Sequence, residues 1–266
     1  MKPALEGPEL IEWLRREGRA RYHDQHPYHL RMHAGELTQQ QLQQWVVNRY
    51  YYQTRIPIKD ALILSKSEDP AFRRMWLHRI QDHDGTAPGE GGLELWLRLA
   101  EGVGLDREEV RSCRSVLSGV RFACDAYVTL VRERSLLEAV ASSLTEFFAP
   151  DLMSDRIAAW ERHYPWIDAA ALGYFRGRVS AARRDSLEAI EFVVSQATSF
   201  ELQQRCVDAL VQKTEILWHL LDTTYAAYVE PGWRIGATPI HGIAPPGTSL
   251  GPAGANTSPA GAGGQP

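Results

Sequence analysis

Hydrophobic residues recur at three- and four-residue spacing along almost the whole chain, and no alternating stretch is long enough to build a sheet. That period allows little besides helices packed on one another. A first helix begins near Pro8 with Leu10, Ile11 and Leu14 on one side. A second opens at Thr38, a good N-cap, with Leu42, Trp45, Val46 and Tyr52 on one face. Pro57 is expected to end or kink it, with the helical pattern resuming over 58–64. Asp69-Pro70 opens a third helix and Gly85 is placed to close it. After a loop at Gly89, Gly91 and Gly92, further helices are predicted near 93–103, 119–134, 136–148, 154–162, 170–197 and 200–229. The fold class is all-α, a bundle of seven or more helices. The helical domain is assigned to residues 1–234. Residues 235–266 read as a flexible linker or tail, because from Ile243 to Pro266 there is no charged residue and Gly, Pro, Ala, Ser and Thr dominate.

The functional signal is polar side chains where the period calls for apolar ones. On the second helix the face of Leu42, Trp45 and Val46 continues through Arg49, Tyr52, Gln53, Ile56 and Lys59. The third leads from Phe72 and Trp76 to Arg79 and His83. Arg156 lies between Leu152 and Trp160 at four-residue spacing. Tyr174 and Arg178 are one turn apart, and Lys213 shares a face with Cys206, Leu210 and Leu217. A single arginine or lysine of this kind can lay its stem along the core edge and reach water. Six in one bundle point to a shared pocket for a polyanion, whose carboxylates suit arginine's planar fork. Glu146 sits in an apolar run with small neighbours at Ala139, Ser142, Ser143 and Ala149, which leaves both a structural ion pair and a ligand contact open. His83 stands near the C-terminus of its helix, where the macrodipole favours the imidazolium and makes it a candidate proton donor.

Other classes are disfavoured. A net charge of −4 gives no basic surface for nucleic acid. Three separated cysteines without C-x-x-C suggest reduced thiols rather than a zinc or disulfide framework. Neither a signal peptide nor a run of roughly eighteen apolar residues is seen, so a cytoplasmic protein without membrane spans is expected. His23, His26, His29 and His33 invite a metal reading, but Pro27 interrupts the helix that would align them and no Glu-x-x-His pair accompanies them. No metal is expected.

Laid side by side, the strings YHDQHPYHLRMH, NRYYYQTRIPIKDA, RIQDHDG, GVRFACDAYV, SSLTEFFAP, HYPWI, YFRGRVS and KTEILWHLLD resemble the pyrroloquinoline quinone (PQQ) synthase family, the C proteins of PQQ biosynthesis. They run in family order from near residue 10 to about 230. The resemblance implies a seven-helix bundle of the haem-oxygenase-like type without haem, and a homodimer. It implies ring closure and multi-electron oxidation of a bicyclic quinone precursor, with molecular oxygen as acceptor, hydrogen peroxide released, and no metal or added cofactor. It also implies substrate contacts at Tyr22, His23, Arg49, Tyr52, Gln53, Lys59, Arg79, Tyr127, Thr145, Glu146, Arg156 and Lys213. Oxygen handling falls to His83, Tyr174 and Arg178, with His83 first for proton transfer and His23 and Tyr174 in support. Met153 departs from the family pattern, which has histidine there, and methionine can neither move a proton nor donate a hydrogen bond. In some family members a linker joins the synthase to the small D-type peptide carrier of the same pathway, and the uncharged tail is consistent with such a fusion.

Three alternatives stand beside this reading. They are a thiaminase-type hydrolase with Cys206 as nucleophile, a di-iron oxidase, and a non-catalytic carrier of an anionic quinone.

Overall fold

The computed structural model describes residues 2–230, so the boundary at 234 and the proposed linker lie outside the described residues. Eleven α-helical segments are found there: α1 (Gly7–Arg19), α2 (Pro27–Ala34), α3 (Gln39–Ser65), α4 (Pro70–Asp84), α5 (Gly91–Gly102), α6 (Arg107–Ser112), α7 (Ser118–Glu133), α8 (Leu136–Ser142), α9 (Ala149–His163), α10 (Gly173–Gln196) and α11 (Phe200–Tyr228). No strand occurs among the described residues. Setting aside the short segments α2, α6 and α8 leaves eight long helices, within the expectation of seven or more.

Local chemistry accounts for most boundaries. Thr38 and Gln41 form a reciprocal capping box at the start of α3. Asp69 accepts from the backbone N–H of Ala71 and Phe72 ahead of Pro70. Gly85 closes α4 at φ +82, a conformation that costs other L-residues, and a side chain there would also collide with Glu90.

Four boundaries differ from the sequence expectation. Helix α3 runs unbroken through Pro57, which is buried. Packing of α3 against α4 and α7 outweighs a missing N–H, a defect of roughly 3 kcal/mol in an isolated helix. The helix expected over 136–148 ends at Ser142 and tightens into a 3₁₀ turn, Ser143–Phe147, before α9 begins at Ala149. Pro150 has no N–H with which to continue the earlier helix, but it suits the first turn of a new one. Pro27 acts in the same way, opening α2 with His26 as N-cap. At the far side, Ala169–Leu172 form a 3₁₀ turn capped by Asp168 before α10 starts at Gly173.

Helix α3 lies between α4 and α7, α10 packs along α9, and α11 packs on α7 and α8 with α1 across it. An aromatic cluster fills the centre. Trp45 lies 5.5 Å from Trp96 and 5.9 Å from Trp160 between ring centroids, and Trp160 meets Phe175 edge-on at 5.3 Å. Such rings contribute both buried area and favourable quadrupole geometry. Trp160→Ala therefore lowers unfolding stability by about 3–5 kcal/mol, as read from denaturant midpoints; a loss below about 1 kcal/mol contradicts this account of the core.

Candidate functional site

Every long helix but α1 and α7 contributes to one cavity with about 550 Å³ of empty space, counted out to its mouth. From α3 come Arg49, Tyr52, Gln53 and Ile56; from α4, His83; from α10, Tyr174 and Arg178. The 3₁₀ turn delivers Thr145 and Glu146, and α9 contributes Met153 and Arg156. Tyr22 and His23, beside the first 3₁₀ turn, complete the polar wall.

Arg178 donates from Nη2 to Glu146 Oε2 at 2.7 Å and to Asp185 Oδ2 at 3.3 Å. Burial disfavours its charge, but Glu146, Tyr174 and Asp185 outweigh that and hold the guanidinium above its ordinary range. Tyr174 donates its hydroxyl to Gln53 Oε1 at 2.8 Å. Glu146 thus makes the structural ion pair and lines the cavity as well.

His83 differs from the sequence expectation. Burial, reinforced by the Arg178 charge, pushes its pKa down to about 4, overriding the helix C-terminus. Its Nδ1 lies 3.1 Å from the Arg79 carbonyl, which can only accept, so Nδ1 carries the proton. The neutral ring therefore presents Nε2 with a free lone pair. It is placed as a base, and as a donor only after it has taken up a proton.

The cations on the opposite wall have a different environment. Arg156 donates from Nη2 to His29 Nε2 at 3.2 Å and lies 4.8 Å from the Trp45 ring centre. Burial, then repulsion from Arg49, lowers its pKa to about 9. Arg49 lies 4.0 Å over the Tyr52 ring. Neither Arg49 nor Arg156 has a carboxylate partner among the described residues. His29 also donates from Nδ1 to the His23 carbonyl at 3.0 Å, so both nitrogens are used while the ring stays neutral. Burial and the Arg156 charge keep its pKa well below the ordinary value. His23 is likewise held low by burial and Arg49.

Four of the residues singled out from the sequence do not line the cavity and form a layer behind it. Lys59 pairs with Asp60 at 2.7 Å and donates to Ser143 Oγ at 3.1 Å. Arg79 stacks 3.8 Å from the Trp76 ring centre and donates to the Asp185 carbonyl. Lys213 donates to Tyr52 Oη at 2.9 Å and sits 3.4 Å over the Tyr127 ring. Burial and then Arg49 bring its pKa well below the usual lysine range. Met153 lines the cavity and offers no group there that can donate a hydrogen bond or move a proton. Cys206 does not line it, and burial pushes its thiol up to about 12, which removes the support for a nucleophilic cysteine.

Sequence reasoning missed two partners. Asp185, two turns after Arg178 on α10, binds Arg178, Arg184 and His78, and those partners with Arg79 hold its carboxyl well below its usual range despite burial. The i+7 spacing from Arg178 was a visible signal. His29 gave none as an acceptor for Arg156, because the pair is 127 positions apart. His78, Asp185 and Glu188 bring potential metal-ligand atoms within 4.8 Å of one another, but His78 bridges both carboxylates and Arg184 binds Asp185.

Comparison with known proteins bears on this geometry. Residues 13–223 match the model of the TENA/THI-4/PQQC family. A pyrroloquinoline-quinone synthase of Rhizobium meliloti (strain 1021) is 53% identical over 215 residues, 81% of this chain and 84% of that protein. A bifunctional coenzyme PQQ synthesis protein C/D of Methylorubrum extorquens is 48% identical over 228 residues, 86% of this chain and 61% of that longer protein. Among solved structures, a domain of unknown function with a heme oxygenase-like fold from Shewanella denitrificans superposes with a TM-score of 0.68 at 13% identity, covering 84% of this chain and 94% of that one. A TenA homologue from Pseudomonas syringae gives 0.64 at 15%, covering 85% and 98%. At those identities the structures establish the fold alone. No helix among the described residues is long and apolar enough to cross a membrane.

The state of His83 yields a measurable consequence. Its folded pKa of about 4 lies below the unfolded value of roughly 6.5. Its contribution to stability is therefore complete above the unfolded value and is lost as pH falls through that window toward 4. In His83→Gln the drop in stability between pH 6.5 and 4 shrinks by up to roughly 3 kcal/mol, read from urea unfolding at several pH values. In ¹⁵N NMR the wild-type ring is the neutral Nδ1–H form at pH 7; an imidazolium there refutes the assignment.

Proposed function

With the premise that the chain belongs to the TENA/THI-4/PQQC family, we propose that it is a pyrroloquinoline-quinone synthase, a cofactor-independent oxidase acting on a bicyclic polycarboxylate quinone. The observation that carries this reading is the arrangement of the cavity walls. Arg49 and Arg156, without carboxylate partners among the described residues, face the same space as the neutral base His83 and the Tyr174–Arg178 pair.

The precursor's carboxylates supply the counter-charge that Arg49 and Arg156 lack. Lys213, Lys59 and Arg79 add positive potential from behind and hold Tyr52, Ser143 and the Asp185 backbone in place. Confinement brings the precursor's amine close to the quinone-ring carbon it attacks, so that the C–N bond forms as a ring C=C π bond opens and its electron pair moves onto a quinone oxygen. His83 Nε2 takes up a proton released from carbon or nitrogen as the ring closes, leaving an electron-rich, quinol-like anion. Each two-electron oxidation then passes two electrons to O₂, which with two protons becomes hydrogen peroxide. Arg178 and the newly protonated His83 stabilise the negative charge that develops on oxygen. The quinone carries the electrons between steps, so the reading requires neither metal nor flavin. Tyr22 and His23, both buried at the cavity edge, complete the contacts. A homodimer in the cytoplasm belongs to the same proposal. The bifunctional C/D relative supports a D-type peptide carrier as partner, fused or separate.

The deciding experiment supplies the bicyclic precursor under air and under argon. Oxygen uptake, peroxide release and the product's absorbance are expected under air and are lost under argon. Tight binding without peroxide makes the protein a carrier and overturns the oxidase reading. His83→Ala lowers kcat by about 10²- to 10⁴-fold, with a smaller change in affinity for the precursor. Arg156→Met weakens binding of PQQ itself, measured by calorimetry, by about 10-fold or more; unaltered affinity removes Arg156 from the carboxylate site.

A further inference from the structure

A second cavity, with about 440 Å³ of empty space, lies between α4, α5 and α10. It shares His83, Tyr174 and Arg178 with the first one, so these three side chains form the partition between the two spaces. The remaining lining is mostly small or apolar: Gly92, Leu95, Gly177 and Ala181, with Asp82 also present. Asp82 is held by an ion pair to Arg184.

Two glycines keep this space open. Gly177 is exposed on α10, has an ordinary helical backbone, and a Cβ built there meets nothing within 4 Å. Glycine inside a helix costs roughly 1 kcal/mol relative to alanine, so its effect here is the room it leaves. Gly92 is buried on α5, and a Cβ there would press on Tyr174 Cε2 at 3.3 Å. A side chain at 177 therefore narrows the outer end, and one at 92 pushes against the partition. Arg178 also has a buried Nη1 without a hydrogen-bond partner, a spare donor on a residue that lines both cavities.

Walls of this kind suit a small apolar molecule. A bicyclic polycarboxylate would need several cations, whereas among the described residues this lining holds one cation, Arg178, already bound to Glu146 and Asp185. A precursor seated in the first cavity would lie across that cavity's own mouth. Oxygen must then reach the His83–Tyr174–Arg178 partition from another side.

We propose that the cavity between α4, α5 and α10 is the oxygen passage, admitting O₂ past Gly177 to the partition while the organic substrate occupies the other face. This rests on the oxidase reading above. It adds a specificity element for the gaseous substrate, separate from the contacts that recognise the precursor.

Gly177→Leu tests it. The position is exposed and helical, and leucine is a better helix former, so the fold is expected to stand, as checked by circular dichroism and the thermal midpoint. The expected result is a several-fold rise in KM for O₂, with kcat at saturating O₂ and affinity for PQQ unchanged, and a smaller rise in Gly177→Ala. Xenon-pressurised crystals of the wild type place xenon between α5 and α10, and those of Gly177→Leu do not. If the precursor drives no oxygen uptake in the wild type, the oxidase reading fails, and oxygen delivery with it. If uptake occurs but Gly177→Leu keeps the wild-type KM for O₂, or the wild-type cavity takes up no xenon, the passage alone is overturned.

Discussion

Positive charge held in a poorly solvated interior is the constraint on which the rest of this site depends. Six cations lie in or directly behind one cavity, and the protein treats them in two ways. Arg178 and Lys59 are matched by carboxylates, Glu146 and Asp185 for the first and Asp60 for the second. Arg49, Arg79, Arg156 and Lys213 face aromatic rings, with centroids 4.0 Å, 3.8 Å, 4.8 Å and 3.4 Å away. Cation–π contact returns only part of the desolvation cost of such a charge. On the proposed function an arriving polycarboxylate makes up the difference, so ligand affinity and the cost of the empty site share one origin.

The same field sets the protonation of its neighbours. His83, His23 and His29 are pushed toward the neutral form by burial and by a nearby guanidinium. Neutral imidazoles accept where imidazoliums cannot. His29 can therefore bind Arg156 without cancelling its charge, and His83 can offer Nε2 as a base. A carboxylate in place of His29 would orient Arg156 as well, but would neutralise its charge.

The helices supply the precision. Rigid elements α3, α4, α9, α10 and α11 frame the cavity, and the 3₁₀ turn at Ser143–Phe147 places Thr145 and Glu146 between them. Asp185 fastens α10 to α4 through His78 and through the Arg79 bond to its carbonyl, which keeps Arg178 and His83 in register from behind. The partition of His83, Tyr174 and Arg178 thus has one face on the polar cavity and one on the more apolar cavity.

Much of this was legible in the residues themselves. Period gave the helices, caps at Thr38 and Asp69 gave their starts, and polar residues on inward stripes marked Arg49, Gln53, His83, Arg156, Tyr174 and Arg178, because side-chain direction follows from helical geometry. Resemblance over long strings added Thr145 and Tyr127, which no periodicity marks. Pattern alone failed where the answer depended on distant partners. Pro57 reads as a break, but packing on both sides of α3 carries the helix through it. His83 reads as a charged helix terminus, yet burial and Arg178 leave it neutral. Lys59, Arg79 and Lys213 share the right faces but stop one layer short of the cavity, as does Tyr127. The sequence by itself determined the fold class and which side chains point inward, since both are properties of local geometry. Only the tertiary structure decided which cations meet a carboxylate, which stay unmatched, and which protons the histidines hold. Those outcomes depend on desolvation and on charges brought from other helices, and neither exists until the bundle closes.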